Sequence, residues 1–205
     1  MEYNKLASQE TIDATVAALK ERNVEAIVVD TKEEALAKIK ELIPAGVSVM
    51  NGSSVTLEQI GFIDYLKSDT HGWNNLHKAI VTEKDKTKQA TLRKQAVLSD
   101  YYLGSVHGIA ATGEMVIASN SGSKLPHVVF TSPNIIFVAG VQKIVPTLAD
   151  AMDRLLTYVV PLEDQHMQQL YNVHTYPSKI VIFNRESPTS GRNVKIILVR
   201  EVLGF

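Results

Sequence analysis

Two short apolar runs separated by one helix-length segment are the feature that most limits what this sequence can fold into. Residues 26–29 are rich in β-branched side chains and predict a buried strand, and residues 47–50 predict a second one. Between them, Thr31 and Glu34 have the spacing of a capping box, which predicts a helix that stops at Pro44. A strand, a helix and a strand in this order predict a βαβ unit with a parallel sheet.

The rest of the chain continues this alternation of helices and strands. Residues 5–22 have the apolar spacing of an amphipathic helix, and Thr147 is a residue type that caps another one. Residues 78–81 predict a brief strand, and the apolar runs between residues 100 and 140 predict several more.

Near the end of the sequence, residues 180–183 and 194–199 form two apolar runs joined by a turn rich in serine, proline and glycine. So short a connection predicts an antiparallel hairpin at a sheet edge. No repeat or linker interrupts the chain. The sequence therefore predicts a single α/β domain over residues 1–205, with a mostly parallel sheet flanked by helices.

Composition and charge exclude several classes of protein. Of the 205 residues 45% are hydrophobic and the net charge is −1, which argues against disorder and against nucleic-acid binding by charge alone. The absence of cysteine excludes a disulfide framework, a cysteine nucleophile and an iron–sulfur cluster held by the chain's own thiolates. No apolar signal segment or bilayer-length stretch occurs, so we expect a cytoplasmic protein without membrane contacts. The six histidines lack metal-ligand spacing, so we expect no metal site and no resident cofactor.

The first candidate site follows the second predicted strand. It contains Asn51, Gly52, Ser53, Ser54 and Thr56. In open α/β sheets, ligands bind at the carboxyl ends of strands, and backbone amides with hydroxyl groups can hold an anion there. The alternative is that serine and threonine at this spacing serve only as a turn and a helix N-cap.

The second candidate site is the glycine-rich stretch at residues 104–114, just before the apolar run at residues 115–118, and a third is the polar loop at residues 119–123 just after this run. Thr112, Gly113 and Glu114 precede this run, and Asn120 follows it in a flexible polar loop. A carboxylate at Glu114 could act as a base, an acid or a nucleophile. The alternative is a plain turn in which Glu114 faces solvent, with the loop of Asn120 an ordinary surface turn.

We expect the turn at residues 51–56 and the segment at residues 112–114 to line one cleft at the carboxyl edge of the mostly parallel sheet. Both contain glycine and hydroxyl groups and both adjoin apolar strands, and ligand sites concentrate at that edge. The loop at residues 51–56 would then bind an anion, and Glu114 would face it from the other side. Partial burial of that carboxylate is expected to raise its pKa, while a nearby cation would oppose this rise.

Residues 102–117, Tyr-Leu-Gly-Ser-Val-His-Gly-Ile-Ala-Ala-Thr-Gly-Glu-Met-Val-Ile, resemble the signature of the LUD domain family, the lactate utilization proteins. The family pattern there is a glycine, an Ile-Ala pair, a Thr-Gly pair and an apolar strand. Residues 51–61 resemble an earlier Ser-x-Thr-Leu-x-x-x-Gly segment of the family, and residues 126–129 and 134–140 follow in the expected order. The resemblance extends from about residue 45 to about residue 160.

The resemblance implies a fold similar to that of the ribose-phosphate isomerase, glucosamine-phosphate deaminase and CoA-transferase superfamily. It implies a ligand-binding loop at residues 52–56, and Glu114 is the nearest analogue of the CoA-transferase glutamate. Two positions depart from the family pattern: Glu114 stands where a small or hydroxylic residue is usual, and residues 187–195 lack the acidic pair of one subtype. The cysteines with which another subtype binds a redox centre are absent as well.

Three functions remain open at this point. The resemblance implies a protein of lactate or related organic-acid utilization, of bacterial-type metabolism, that binds a small anionic metabolite. The second is an isomerase or CoA-transferase-like enzyme that uses Glu114. The third is a non-catalytic subunit that supports an iron–sulfur oxidoreductase partner. The sequence leaves open whether the protein forms a homo-oligomer.

Overall fold

The structure is a computed structural model that describes residues 2–205. The strands are β1 (Glu25–Val29), β2 (Ser48–Asn51), β3 (Asn74–Asn75), β4 (Tyr101–Gly104), β5 (Gly108–Ala110), β6 (Met115–Ser119), β7 (Asn134–Gly140), β8 (Ile144–Val145), β9 (Lys179–Phe183) and β10 (Asn193–Val199). The α-helices are α1 (Gln9–Glu21), α2 (Lys32–Leu42), α3 (Val55–Gln59), α4 (Phe62–Lys67), α5 (Leu76–Thr82), α6 (Lys86–Gln95), α7 (Leu148–Arg154) and α8 (Val160–Tyr171). Short 3₁₀ turns lie at Ala96–Leu98 and Val141–Lys143, and π-helical turns lie at His127–Thr131 and Leu155–Val159.

The larger sheet has six strands in the spatial order β1-β10-β7-β4-β2-β3, and every pair in it is parallel. Strands β7 and β10 lie inside the sheet and are almost entirely buried, since helices cover both faces. The expected α/β class with a mostly parallel sheet is confirmed. Strands β1 and β2 are parallel as expected, but three other strands separate them. Strand β1 is an edge strand and only half-buried, not fully buried as the sequence predicted.

Helices α1 and α2 pack on opposite faces of this sheet. Ser8 caps α1, which buries Ile12 and Leu19 in the core on one face. Thr31 caps α2 through the predicted capping box, and α2 buries Ile39 in the core on the other face. The apolar spacing of each helix therefore determines which side of the sheet it covers.

A second, smaller sheet has the order β8-β5-β6-β9 and contains both parallel and antiparallel pairs. A tight turn joins β5 to β6, and Gly113 takes a φ of +96° in it. A Cβ atom at Gly113 would lie 2.8 Å from the Arg22 side chain, so both the backbone angle and the close approach require glycine there. Helix α7 and the π-helical turn after it pack against this sheet.

The predicted antiparallel hairpin near the C-terminal end is wrong. Strand β9 pairs with β6 in the smaller sheet, while β10 lies between β1 and β7 in the larger one. Because β10 is apolar on both faces, it is stabilised by two parallel neighbours inside a sheet rather than by one partner at an edge. The predicted strand at residues 78–81 is also wrong, since Asn75 caps helix α5 over this segment.

No helix within residues 2–205 combines the length and the apolar character that crossing a membrane requires.

The connection between β9 and β10 is held by a buried ion pair. The Arg192 guanidinium lies 3.0 Å from the Glu186 carboxylate and donates to the carbonyl oxygens of Ser132, His127 and Val128. Both side chains of the pair are at least nine-tenths buried. Arg192 therefore connects the segment between β9 and β10 to the π-helical turn at His127–Thr131.

We expect Arg192→Ala to lower the free energy of unfolding by about 3–5 kcal/mol, because it leaves the buried Glu186 carboxylate without its counter-charge. Lys38→Ala is the matched control, since Lys38 pairs with Glu41 at the exposed surface and its loss should cost less than about 1 kcal/mol. Chemical denaturation of the three proteins measures both values. Equal stabilities for the two variants would contradict a structural role for the buried pair.

Candidate functional site

A cavity of about 570 Å³ opens at the carboxyl edge of the larger sheet. Its walls come from the segments that follow β2, β4, β6 and β7, and helix α8 faces them. Parallel strands all present their carboxyl ends at this edge, which is where open α/β sheets bind ligands.

The loop after β2 forms one wall of the cavity. The Gly52 amide donates to the Leu103 carbonyl at 3.1 Å, which continues the pairing with β4 beyond the end of the strand. A Cβ atom at Gly52 would lie 2.5 Å from the Tyr102 hydroxyl, so only glycine fits. The Ser54 hydroxyl accepts from the Leu57 amide and caps α3. The loop is therefore a capped turn that also lines the cavity, while its binding of an anion stays a prediction.

Lys143 is a buried cation at this cavity. It ends the 3₁₀ turn after β7, and the residue is 3% exposed. Its Nζ donates to the hydroxyls of Thr56 and Ser105, both at 3.1 Å, and to the Val106 carbonyl at 3.3 Å. All of its hydrogen-bond partners within residues 2–205 are uncharged. Burial, with the nearby charges of Arg154 and Lys124, lowers the pKa of Lys143 to about 7.

Further charges surround Lys143. Burial lowers the pKa of Lys124 to about 8, and the Glu163 carboxylate partly opposes that shift. Burial raises the pKa of Glu163, although His166 and Lys124 act in the other direction. Behind the wall, Arg154 is fully buried and donates only to carbonyl oxygens, among them that of His107. The surroundings of Lys143 therefore carry an excess of positive charge.

His107 supplies a neutral donor to the cavity wall. Its Nδ1 accepts from the Ala118 amide at 3.1 Å, which assigns the ring proton to Nε2. Burial first, and then the charges of Lys124, Lys143 and Arg154, hold the pKa of His107 well below its usual range. The imidazole is therefore uncharged at neutral pH and can donate one hydrogen bond.

The structure brings part of the predicted site together. Gly52, Ser53, Ser54, Thr56 and Asn120 all line the cavity. The loop of Asn120 is fixed to the segment before β9, because the Asn120 side chain accepts from the Ser178 hydroxyl at 3.0 Å. Asn51 is buried just behind the wall, where its side-chain amide donates to the Gly52 carbonyl at 3.3 Å. Asn51 supports the loop and does not line the cavity.

Thr112, Gly113 and Glu114 lie outside the cavity, so the expected common cleft is not formed. They make the turn that enters β6, whereas the cavity receives residues from the other end of that strand. Glu114 pairs with Arg22 at 2.5 Å and accepts from the Thr112 hydroxyl at 2.5 Å. Burial alone would raise the pKa of Glu114, but the hydrogen bonds to its carboxylate and the Arg22 charge lower it, so together with these bonds the expected opposition by a nearby cation outweighs the effect of burial.

Ser105 and His107, at the start of the glycine-rich stretch at residues 104–114, line the cavity. Lys124 and Lys143 line it as well, although the sequence did not indicate them as site residues. One signal was available: Ser105 follows β4, and Lys143 lies between β7 and β8. The carboxyl-edge rule that selected the loop after β2 applies equally to these parallel strands. Their adjacency to β2 is a property of the sheet order, which the sequence did not reveal.

The fold and the cavity together define an α/β protein with a cationic cavity at the carboxyl edge of a parallel sheet. The family model of the LUD domain matches residues 12–199, which is most of the chain. The protein belongs to the LUD domain family, as its motifs indicated.

A solved structure supports the fold. The chain is similar to a DUF162 family protein from Deinococcus radiodurans, with a TM-score of 0.55 and 12% sequence identity. The similarity covers 95% of this chain and 99% of that chain. No curated protein matches the chain.

The ion pair of Glu114 generates a prediction about acid stability. The pKa of Glu114 is lower in the folded protein than its ordinary value of 4.5, so the pair stabilises the fold above pH 4.5 and loses this effect as the pH falls further. We expect Glu114→Gln to lower the free energy of unfolding by about 1–3 kcal/mol at neutral pH, with the difference disappearing in acid. Denaturation curves at several pH values measure this. Glu41→Gln, at an exposed pair, is the control and should change little.

The buried charge of Lys143 generates a second prediction. Its pKa is about 7 in the folded protein against an ordinary 10.5, so the unfolded chain binds a proton that the folded chain releases. The free-energy cost of burying the charged amine is complete below about pH 7, where both states are protonated, and vanishes above pH 10.5, where neither is. We expect Lys143→Met to be more stable than the wild type by a few kcal/mol in mild acid, with the gain shrinking as the pH rises.

Denaturation between about pH 6 and about pH 10 measures this gain. Lys38→Met removes a surface lysine and should show a difference that does not vary with pH. A pH-independent difference for Lys143→Met as well would mean that Lys143 keeps an ordinary pKa.

Proposed function

We propose that this protein binds a small carboxylate metabolite in the cavity at the carboxyl edge of the larger sheet. One observation supports this: Arg93, Lys124 and Lys143 line the cavity, and Glu163 is the one carboxylate residue, within residues 2–205, that does so. The LUD domain membership suggests lactate or a related organic acid as the class of metabolite.

The free energy of the buried charge favours an anionic ligand. A lysine that is buried without a counter-ion destabilises a fold, and the pKa of Lys143 is lowered for that reason. A bound carboxylate would supply the missing negative charge inside a site of low dielectric constant. Binding would then raise the pKa of Lys143 again and stabilise the protein.

The neutral donors of the wall suit the same ligand. Ser53 and His107 line the cavity beside the lysines, and a serine hydroxyl and a neutral imidazole are groups that can donate to a hydroxyl or carbonyl oxygen of an organic acid. A volume of about 570 Å³ is typical of small-molecule sites. An enzyme that uses Glu114 has no support in this arrangement, because Glu114 lies outside the cavity.

Calorimetric titration with L-lactate, pyruvate and lactamide tests the proposal. We expect lactate or pyruvate to bind and the neutral amide to bind at least tenfold more weakly, which corresponds to about 1.4 kcal/mol. Lys124→Met should weaken carboxylate binding by a similar factor, while the surface variant Lys38→Met should bind as the wild type does. Equal binding of acid and amide, or no heat with any organic acid, would contradict the proposal.

A further inference from the structure

The amine of Lys143 is surrounded by groups that can do more than accompany a charge. Its three acceptors are the hydroxyls of Thr56 and Ser105 and a backbone carbonyl, and none is a carboxylate. The residue is 3% exposed, and the two hydroxyl oxygens each lie 3.1 Å from the nitrogen. Besides attracting an anion, the amine therefore has groups beside it that can carry protons.

We propose that the Nζ atom of Lys143 forms an imine with the carbonyl carbon of a 2-oxo carboxylate bound in the cavity. The inference rests on the proposed function and specifies its ligand class. It adds a covalent bond to the non-covalent binding of the carboxylate.

The step balances without any oxidant or reductant. The lone pair of the neutral amine attacks the 2-carbon, and the carbonyl oxygen takes up a proton to give a carbinolamine. The carbinolamine loses its oxygen as one water molecule, and the nitrogen keeps a double bond to carbon. The amine loses both protons, and the carbonyl oxygen leaves with them as water, so the imine and water account for all atoms.

The two hydroxyls can carry the protons of this step. Thr56 Oγ1 and Ser105 Oγ each lie 3.1 Å from Nζ, and they lie 3.3 Å from each other. A hydroxyl both donates and accepts, so each can receive a proton from nitrogen and pass one to the departing oxygen. The Thr56 hydroxyl also reaches the Leu203 carbonyl at 3.4 Å, which holds it in place.

The state of the amine agrees with this geometry. Burial and the charges of Arg154 and Lys124 lower the pKa of Lys143 to about 7 in the protein without ligand, so a large fraction of the amine is neutral there at physiological pH. His107 also faces this region and is itself neutral. Lys124 faces the carboxylate of Glu163, keeps a higher pKa of about 8, and is suited to hold the carboxylate of the ligand.

Reductive trapping tests the inference. The full-length protein is incubated with pyruvate and sodium cyanoborohydride near neutral pH, and intact mass spectrometry followed by peptide mapping locates the product. We expect one carboxyethyl group for each chain, on Lys143, with excess L-lactate suppressing its formation. Lys143→Arg should lose the adduct, while Lys38→Arg at the surface should keep it.

The outcomes separate the inference from the proposed function. Pyruvate binding in calorimetry without an adduct on Lys143 would overturn the inference and leave the proposed function standing. Adducts spread over surface lysines, at equal yield in the wild type and in Lys143→Arg, would overturn it as well. Absence of any organic-acid binding would overturn both. The site of the adduct is read from the wild-type protein, so the test does not depend on the folding of a variant.

Discussion

The buried amine of Lys143 is the interaction on which the arrangement of the site depends. Through its hydrogen bonds it connects the loop after β2 with the segment after β4, while its own backbone follows β7. The segments that follow three neighbouring parallel strands, β2, β4 and β7, are therefore joined by the hydrogen bonds of one nitrogen atom. A cation in that position is costly unless something compensates it, and no carboxylate bonds to it within residues 2–205.

The last residues of the chain complete this wall. Gly204 takes a φ of +63°, and a Cβ atom there would collide with the Thr56 hydroxyl and lie 3.2 Å from the Lys143 nitrogen. The Leu203 carbonyl accepts from the side chains of Thr56 and Gln142. The Phe205 carbonyl accepts from Arg154 at 3.3 Å. Glycine is thus required where the chain passes closest to the amine, and the neighbouring backbone oxygens accept hydrogen bonds from the buried side chains of Thr56, Gln142 and Arg154.

The sequence predicts those features of the structure that are set by residues close together in the chain. The capping box at Thr31, the cap at Thr147 and the loop at residues 52–56 were predicted, because each is encoded by a few adjacent residues. The partners of β10 and the place of Glu114 were not, because both depend on which strands become neighbours. Glu114 precedes an apolar strand as an active-site acid would, but that strand belongs to the other sheet and Arg22 neutralises the carboxylate. Lys143 was not predicted, because a single lysine between two strands has no local signature of function.

The central claim is that Lys143 is buried without a counter-charge and that an organic acid supplies one. Nuclear magnetic resonance of protein with ¹³C-labelled lysine side chains tests it directly, with Lys143→Met assigning the signal. The account predicts one lysine signal that titrates near pH 7 in the free protein and moves to higher pH when L-lactate is added. If Lys143 titrated near its ordinary pKa of 10.5 and lactate left its midpoint unchanged, the account would be contradicted.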